Sequence, residues 1–256
     1  MSPDRSSAGD PARTVALLWR DPAAVPRRGP RRALDLDAVV AAAVALADAE
    51  GLEAVTMRRV ADRLGVAPMS LYTYVPGKGE LLDLMLDAVR AAMPRADTAG
   101  LPWQERVAAV AAENLALYAD HPWAATVSTL RPPLGPGAIA RYEHELAAFD
   151  GCGLGDVEVD DCLTALLTFV RACARDAAAA AEAVRDSGVD DAGWWAAAGP
   201  VLARHLDPGA FPRATRIGAA AGAAHGSAHD PVHAHRFGLA RLLDGFAALV
   251  EARGRS

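Results

Sequence analysis

The stretch Thr56-Met57-Arg58-Arg59-Val60-Ala61-Asp62-Arg63-Leu64-Gly65-Val66-Ala67-Pro68-Met69-Ser70-Leu71-Tyr72-Thr73-Tyr74 decides the fold. Two short helices crossing near a right angle need a small residue where their backbones approach, and Ala61 supplies it. The turn needs a residue tolerant of positive φ, and Gly65 follows four positions later. Val60, Leu64, Val66 and Leu71 fall where the pair must pack on a preceding helix. Thr56 suits the cap of the first helix and Pro68 the first position of the second. The pattern fits a DNA-reading helix-turn-helix; the plainer alternative is an ordinary helix hairpin with a glycine turn. The outer face of the second helix favours the first reading. Met69, Ser70, Tyr72, Thr73 and Tyr74 include no carboxylate, and a face that meets phosphates must exclude anions.

Working outward, Asp35 is a good cap for a preceding helix with Leu36, Val39, Val40, Ala43, Val44 and Ala47 on one face, stopped at Glu50-Gly51. Pro76-Gly77 breaks the chain after Tyr74. Lys78 then leads into a further helix carrying Leu81, Leu82, Met85, Leu86 and Val89, which ends at Pro94. Beyond it, helices are predicted over 103–119, 122–130, 138–149, 157–185, 192–206 and 235–252, with 207–232 a long loop holding at most a short helix. No internal repeat and no strand alternation is found. The predicted fold class is all-α, with an N-terminal three-helix DNA-binding domain over 34–80 and a helical effector-binding and dimerisation domain over 81–256. Residues 1–33 read as a flexible basic arm. Its Arg27-Arg28-Gly29-Pro30-Arg31-Arg32 is either a solvated linker or an arm along DNA phosphates or in the minor groove, and its position favours the arm. The apolar patch Leu17-Leu18-Trp19 has no account at this level.

Composition agrees. The chain is rich in Ala and Leu with only 5% aromatic residues, which favours helix. The net charge of −6 is unevenly spread: eleven Lys+Arg face nine Asp+Glu up to Gly79, and fifteen face twenty-three from Glu80 onward. Cys152, Cys162 and Cys173 read as reduced thiols, with Cys162 and Cys173 on one helix face. His225, His229, His233 and His235 are interrupted by Gly226, Ser227 and Pro231, so they read as a polar loop and not as a metal site. No metal or cofactor is expected. The absence of a long apolar run and of a leader predicts a cytoplasmic protein with no membrane partner.

Arg58-Arg59-Val60-Ala61-x-x-Leu64-Gly65-Val66, Leu71-Tyr72-x-Tyr74-Val75 and Lys78-x-Glu80-Leu81-Leu82 closely resemble the tetracycline-repressor (TetR) family. The likeness is dense over 34–90. It resumes thinly in Arg131-Pro132-Pro133, Tyr142-Glu143 and Gly238-Leu239-x-x-Leu242-Leu243-Asp244-Gly245. The resemblance implies that Thr56 and Arg58 touch phosphates and that Pro68, Met69, Ser70 and Thr73 face base edges. Tyr72, Tyr74 and Lys78 would clamp the backbone. It also implies a homodimer on a palindromic, double-stranded operator, with helices 157–185 and 235–252 pairing across a twofold axis. Their stripes are Val159, Leu163, Leu166, Leu167, Val170 and Ala174, and Phe237, Leu239, Leu242, Leu243, Phe246 and Leu249. Periodicity leaves packing within one chain equally open.

A small-molecule effector would need apolar walls with a few polar groups. Trp103, Tyr118, Trp123, Arg131, Tyr142, His144, Phe169, Trp194 and Trp195 are the candidates. The family's magnesium-binding histidine has no counterpart in Thr126-Val127-Ser128-Thr129-Leu130, which argues against magnesium-tetracycline. The expected function is a repressor released from its operator by a small molecule. The alternatives are an activator or ligand-independent regulator, and an all-helical enzyme or carrier. No nucleophile–base set or phosphate loop supports an enzyme.

Overall fold

The computed structural model describes residues 10–21, 34–127 and 131–255, in which every regular element is a helix. Part of the expected N-terminal arm is one of them. Asp10 accepts the amides of Ala12 and Arg13 and starts α1 (Pro11–Leu18). So short a helix is marginal alone in water. Thr14, Leu17 and Leu18, spaced to share one face, are buried against α5 (Lys78–Ala92) and hold it. The arm reading is corrected for this segment. Arg27, Arg28, Arg31 and Arg32 lie outside the described residues.

α2 (Leu36–Glu50) starts at the Asp35 cap and stops at Gly51, whose φ of 84° suits only glycine. α3 (Met57–Leu64) and α4 (Pro68–Tyr74) follow, and α2 packs on both α3 and α5. Val39, Ala43, Val55, Val60, Leu71, Leu81 and Met85 form the core of this head. The larger body holds α6 (Trp103–Asp120), α7 (Pro122–Thr126), α8 (Pro136–Ala147), α9 (Asp156–Ser187), α10 (Asp191–His205), α11 (Pro212–His225) and α12 (Pro231–Gly254). α5 packs on α8, α6 on α9, and α9 on α12, so α5 belongs to the core of both parts.

Three expectations change. The helix expected over 122–130 ends at Thr126, where Val127 turns extended; residues 128–130 lie outside the described residues. The stretch 207–232 contains α11, a full helix of 14 residues. Its Gly222 is not a breaker. It makes room for Trp195, whose ring atoms lie 3.0–3.2 Å from where a Cβ would stand. The last helix begins at Pro231 behind an Asp230 cap, so His233 and His235 are helical. The His225 and His233 rings sit 4.6 Å apart, which replaces the polar-loop reading.

Among the described glycines, Gly137 makes the closest approach to another helix, where α8 meets α5. Asp87 Oδ1 accepts the Ala138 amide at 2.8 Å and caps α8. A Cβ on Gly137 would stand 2.1 Å from the Asp87 carbonyl oxygen and 2.9 Å from the Ala91 Cβ. Gly→Ala within a helix is normally stabilising, so the sign is informative here. Gly137→Ala is expected to destabilise by about 1–3 kcal/mol, because backbone cannot move aside as a side chain can. That corresponds to a fall of roughly 2–12 °C in Tm. An unchanged or raised melting temperature by circular dichroism would mean that α5 and α8 separate freely.

A polar network also locks α5, α6 and α8 together. Glu145 Oε1 accepts from Asn114 Nδ2 at 2.6 Å and from Arg141 Nε at 2.7 Å, with all three side chains buried. Burial, with Arg141 beside it, pulls the Arg90 guanidinium down to about 10, so it is still a cation at neutral pH. Tyr118, Glu145 and Asp87 act in the opposite direction on it.

Candidate functional site

Ala61 is fully buried where α3 meets the turn, and Gly65 adopts the left-handed conformation at φ 67° and ψ 31°. The Val66 amide donates to the Ala61 carbonyl at 3.1 Å and closes the turn. Thr56 Oγ1 accepts the Arg59 amide at 3.2 Å, and Arg59 is tied to Glu50 of α2 at 2.7 Å. The pair is therefore fixed to α2 by apolar contacts below and an ion pair at the edge. Leu71 is buried beneath α4, while Met69 is 75% and Tyr72 is 44% exposed. Pro68, Ser70 and Thr73 are exposed beside them, and Tyr74 is half-buried. Thr56 and Arg58 are exposed at the start of α3. Lys78 is the first residue of α5, two helical ends away from α3. The outward face of α4 carries hydroxyls, a thioether and no carboxylate, a surface suited to an anionic polymer.

A cleft of about 580 Å³ lies at the other end of α5, a size that suits a small molecule. Val89, Ala92 and Met93 line one wall, Pro94 to Ala96 the rim, and Ala112, Ala116, Leu117 and His121 the facing wall. Glu113 also faces it and separates it from a small cavity of about 60 Å³. Both Glu113 oxygens are engaged: one accepts the Ala96 amide at 2.7 Å, and the other meets His144 Nε2 at 2.8 Å.

The nine aromatic and polar residues singled out from the sequence do not converge on this cleft. Trp103 stacks on Phe149, which in turn lies 6.3 Å from Phe246. Tyr118 is buried near Arg90. Tyr142 donates to Asp160 Oδ1 at 2.6 Å, and that bond pushes its phenol pKa up. Phe169 stacks on His235. Arg131 and Trp194 are exposed, and Trp195 packs on Gly199 and Gly222. His144 lines the small cavity alone among the nine. The cleft is walled instead mostly by alanine and aliphatic side chains, with Arg95, Glu113, Asp120 and His121 as its polar groups. Ala112 and Ala116, one turn apart on α6 and facing the Pro94 break, were the only signal of it in the sequence.

Trp123 does something else. Its indole N–H donates to Asp48 Oδ1 of α2 at 2.7 Å, and His121 Nδ1 lies 2.8 Å from the same oxygen. Head and body therefore meet at α5 and at this polar joint, and His121 belongs to both the joint and the cleft wall. Cys152 and Cys162 are buried and Cys173 half-buried, all as free thiols. Among the described residues no cluster of three His, Cys, Asp or Glu could hold a metal, and no helix is long and apolar enough to cross a membrane.

Comparison with known proteins gives concordant matches. Residues 39–85 match the family described as bacterial regulatory proteins, tetR family, and residues 96–250 match the tetracyclin repressor-like C-terminal domain. The HTH-type transcriptional repressor DrrR1 of Streptomyces coeruleorubidus is 44% identical over the whole of this chain and 93% of its own length. Apo ActR of Streptomyces coelicolor superposes with a TM-score of 0.70 at 27% identity, covering 86% of this chain and 98% of that one. The complex of ActR with actinorhodin gives 0.72 at 28% identity, covering 85% and 97%.

Proposed function

Because the chain belongs to the TetR family of bacterial regulatory proteins, we propose that it is a transcriptional repressor released from a DNA operator by a small molecule held in the cleft at the end of α5. One observation carries the DNA half. The outward face of α4 is solvent-exposed and free of carboxylates, while Leu71 and Gly65 fix its angle from below. Met69, Ser70 and Thr73, with Pro68, read base edges; Thr56, Arg58, Tyr72, Tyr74 and Lys78 hold phosphates. Lys78 stands at the amino end of α5, where the free amides also favour an anion. A relative that is named a repressor supports the direction of control.

The effector half is supported by the fold it shares with ActR, which is known in complex with actinorhodin, and by the position of the cleft. One helix of 15 residues carries Lys78 at its start and cleft residues in its last turn, so it spans about 22 Å as a single rigid element. A ligand that wedges Met93 away from α6 tilts the end that holds Lys78. It also presses on His121, and through Asp48 on α2. The ligand thus meets both joints between head and body. Neither joint needs to unfold for the heads to shift.

Lys78→Ala tests the phosphate clamp. With operator duplex selected from a random DNA pool, the plot of log K against log salt is expected to become shallower by about one unit, because one phosphate contact is lost. Tyr72→Ala is expected to weaken binding with the melting temperature unchanged, since its side chain is outside the core. A wild-type salt slope in Lys78→Ala would remove that lysine from the interface.

A further inference from the structure

The helix α1 lies outside both family-matched segments, 39–85 and 96–250, yet it touches three parts of the molecule. Leu17 and Leu18 are almost wholly buried against α5, the helix that joins head to body. Just past them, the Trp19 indole N–H donates to the Leu134 carbonyl at 2.8 Å, in the segment leading into α8. Arg20, at a left-handed φ of 54°, pairs with Asp37 in the first turn of α2. Its guanidinium also donates to the Leu17 carbonyl at 2.9 Å, which ties the reversal to the helix it ends. Within four residues the chain has gripped the head, the connecting helix and the body.

Each grip is of a different kind, and together they define one geometry. Leu17 and Leu18 need the groove on α5, Trp19 needs Leu134 within hydrogen-bond reach, and Arg20 needs α2 at a fixed angle. A tilt of α5 relative to α2, or of the 131–135 segment relative to α5, breaks at least one. We propose that α1 is a brace that preorganises the reading head: it narrows the range of head placements and so raises affinity for operator DNA without touching it. The proposal rests on the operator-binding reading above. DNA accepts two heads only near one separation, so a wider distribution of head positions weakens binding by the ordering it then requires.

The test uses the full chain and an operator duplex selected with the wild-type protein. Leu17→Ala with Leu18→Ala is expected to weaken operator binding roughly 5–30-fold, within the range typical of allosteric coupling. The salt slope should stay unchanged, because no phosphate contact is removed. By reciprocity, operator binding must in turn slow amide hydrogen exchange in α1 of the wild-type protein. Trp19→Phe with Arg20→Gln, which empties no core position, is expected to shift affinity in the same direction by less. Wild-type affinity in a leucine double variant whose α1 amides exchange freely would overturn the brace. So would α1 exchange that saturating operator leaves unaltered, and a changed salt slope would make α1 a direct DNA contact instead. If the leucine double variant does not fold, the wild-type exchange and the Trp19/Arg20 variant still decide. Failure of the wild-type protein to retain any duplex would instead overturn the operator reading, and the brace with it.

Discussion

Glu145→Ala is expected to lower stability by about 3–5 kcal/mol, the usual result of removing one partner from a buried ion pair. Glu145 is only 1% exposed and takes hydrogen bonds from both Asn114 and Arg141. Its loss leaves two buried guanidiniums, Arg90 and Arg141, that already repel each other. It also takes one of two acceptors from the Asn114 amide nitrogen, which keeps the Val110 carbonyl, while the Asn114 Oδ1 has no hydrogen-bond partner among the described residues. The loss is a large share of the ~5–15 kcal/mol that holds a typical domain together, and it corresponds to a fall of roughly 6–20 °C in Tm. Glu145→Gln keeps an acceptor for Arg141 and is expected to lose less. The measurement is thermal unfolding of the three proteins at neutral pH. A Glu145→Ala melt within about 2 °C of wild type would mean that neither guanidinium depends on the Glu145 carboxylate.

The head was legible because its signals are local. Ala61 and Gly65 sit where a tight crossing demands a small side chain and a left-handed residue, and Leu71 alternates with exposed polar neighbours on one short helix. The caps Asp35 and Thr56 were readable for the same reason, since capping is decided within three residues. The helix α1 was missed for the opposite reason. Pro11 and Asp10 are good start signals, but nothing in eight residues announces that a groove on α5 awaits Leu17 and Leu18. The full length of α11 is hidden in the sequence because Gly218 and Gly222 lower its helix propensity, whereas Gly222 serves Trp195 across a helix–helix contact. The cleft has no such local signal, and none of the nine aromatic and polar candidates lines it. Tyr118, Trp123 and Tyr142 are spent on internal hydrogen bonds and packing, and the hollow is left where alanines fail to fill the space against Pro94 and Met93. A cavity is an absence of side chain, which composition does not advertise.

Only part of the two expected stripes is left for a second copy to cover. The stripes read from periodicity are largely consumed within one chain: Leu163, Leu166, Val170, Ala174 and Phe246 are buried, and Leu167, Leu239, Leu242 and Leu243 pack partly on the same core. Aspartate at those positions would unfold the body before it parted two subunits. The large apolar side chains left exposed on α12 are Val232, Phe237 and Leu249, the kind of exposed side chain that a second copy would cover. Phe237→Asp with Leu249→Asp is therefore expected to give a folded monomer. The new carboxylate at 237 falls beside Arg241, which lies over the Phe237 ring at 5.3 Å, so the isolated chain tolerates it. Sedimentation should show one chain, with a melting curve that no longer depends on protein concentration. Operator affinity should fall by about 10²–10⁴-fold, because each head must then find its half-site without the effective concentration that its partner provides. An intact dimer in the double variant would place the twofold axis elsewhere. A monomer that keeps full operator affinity would be more damaging, since the separation of two heads would then have no bearing on DNA binding and a ligand at the end of α5 would have nothing to change.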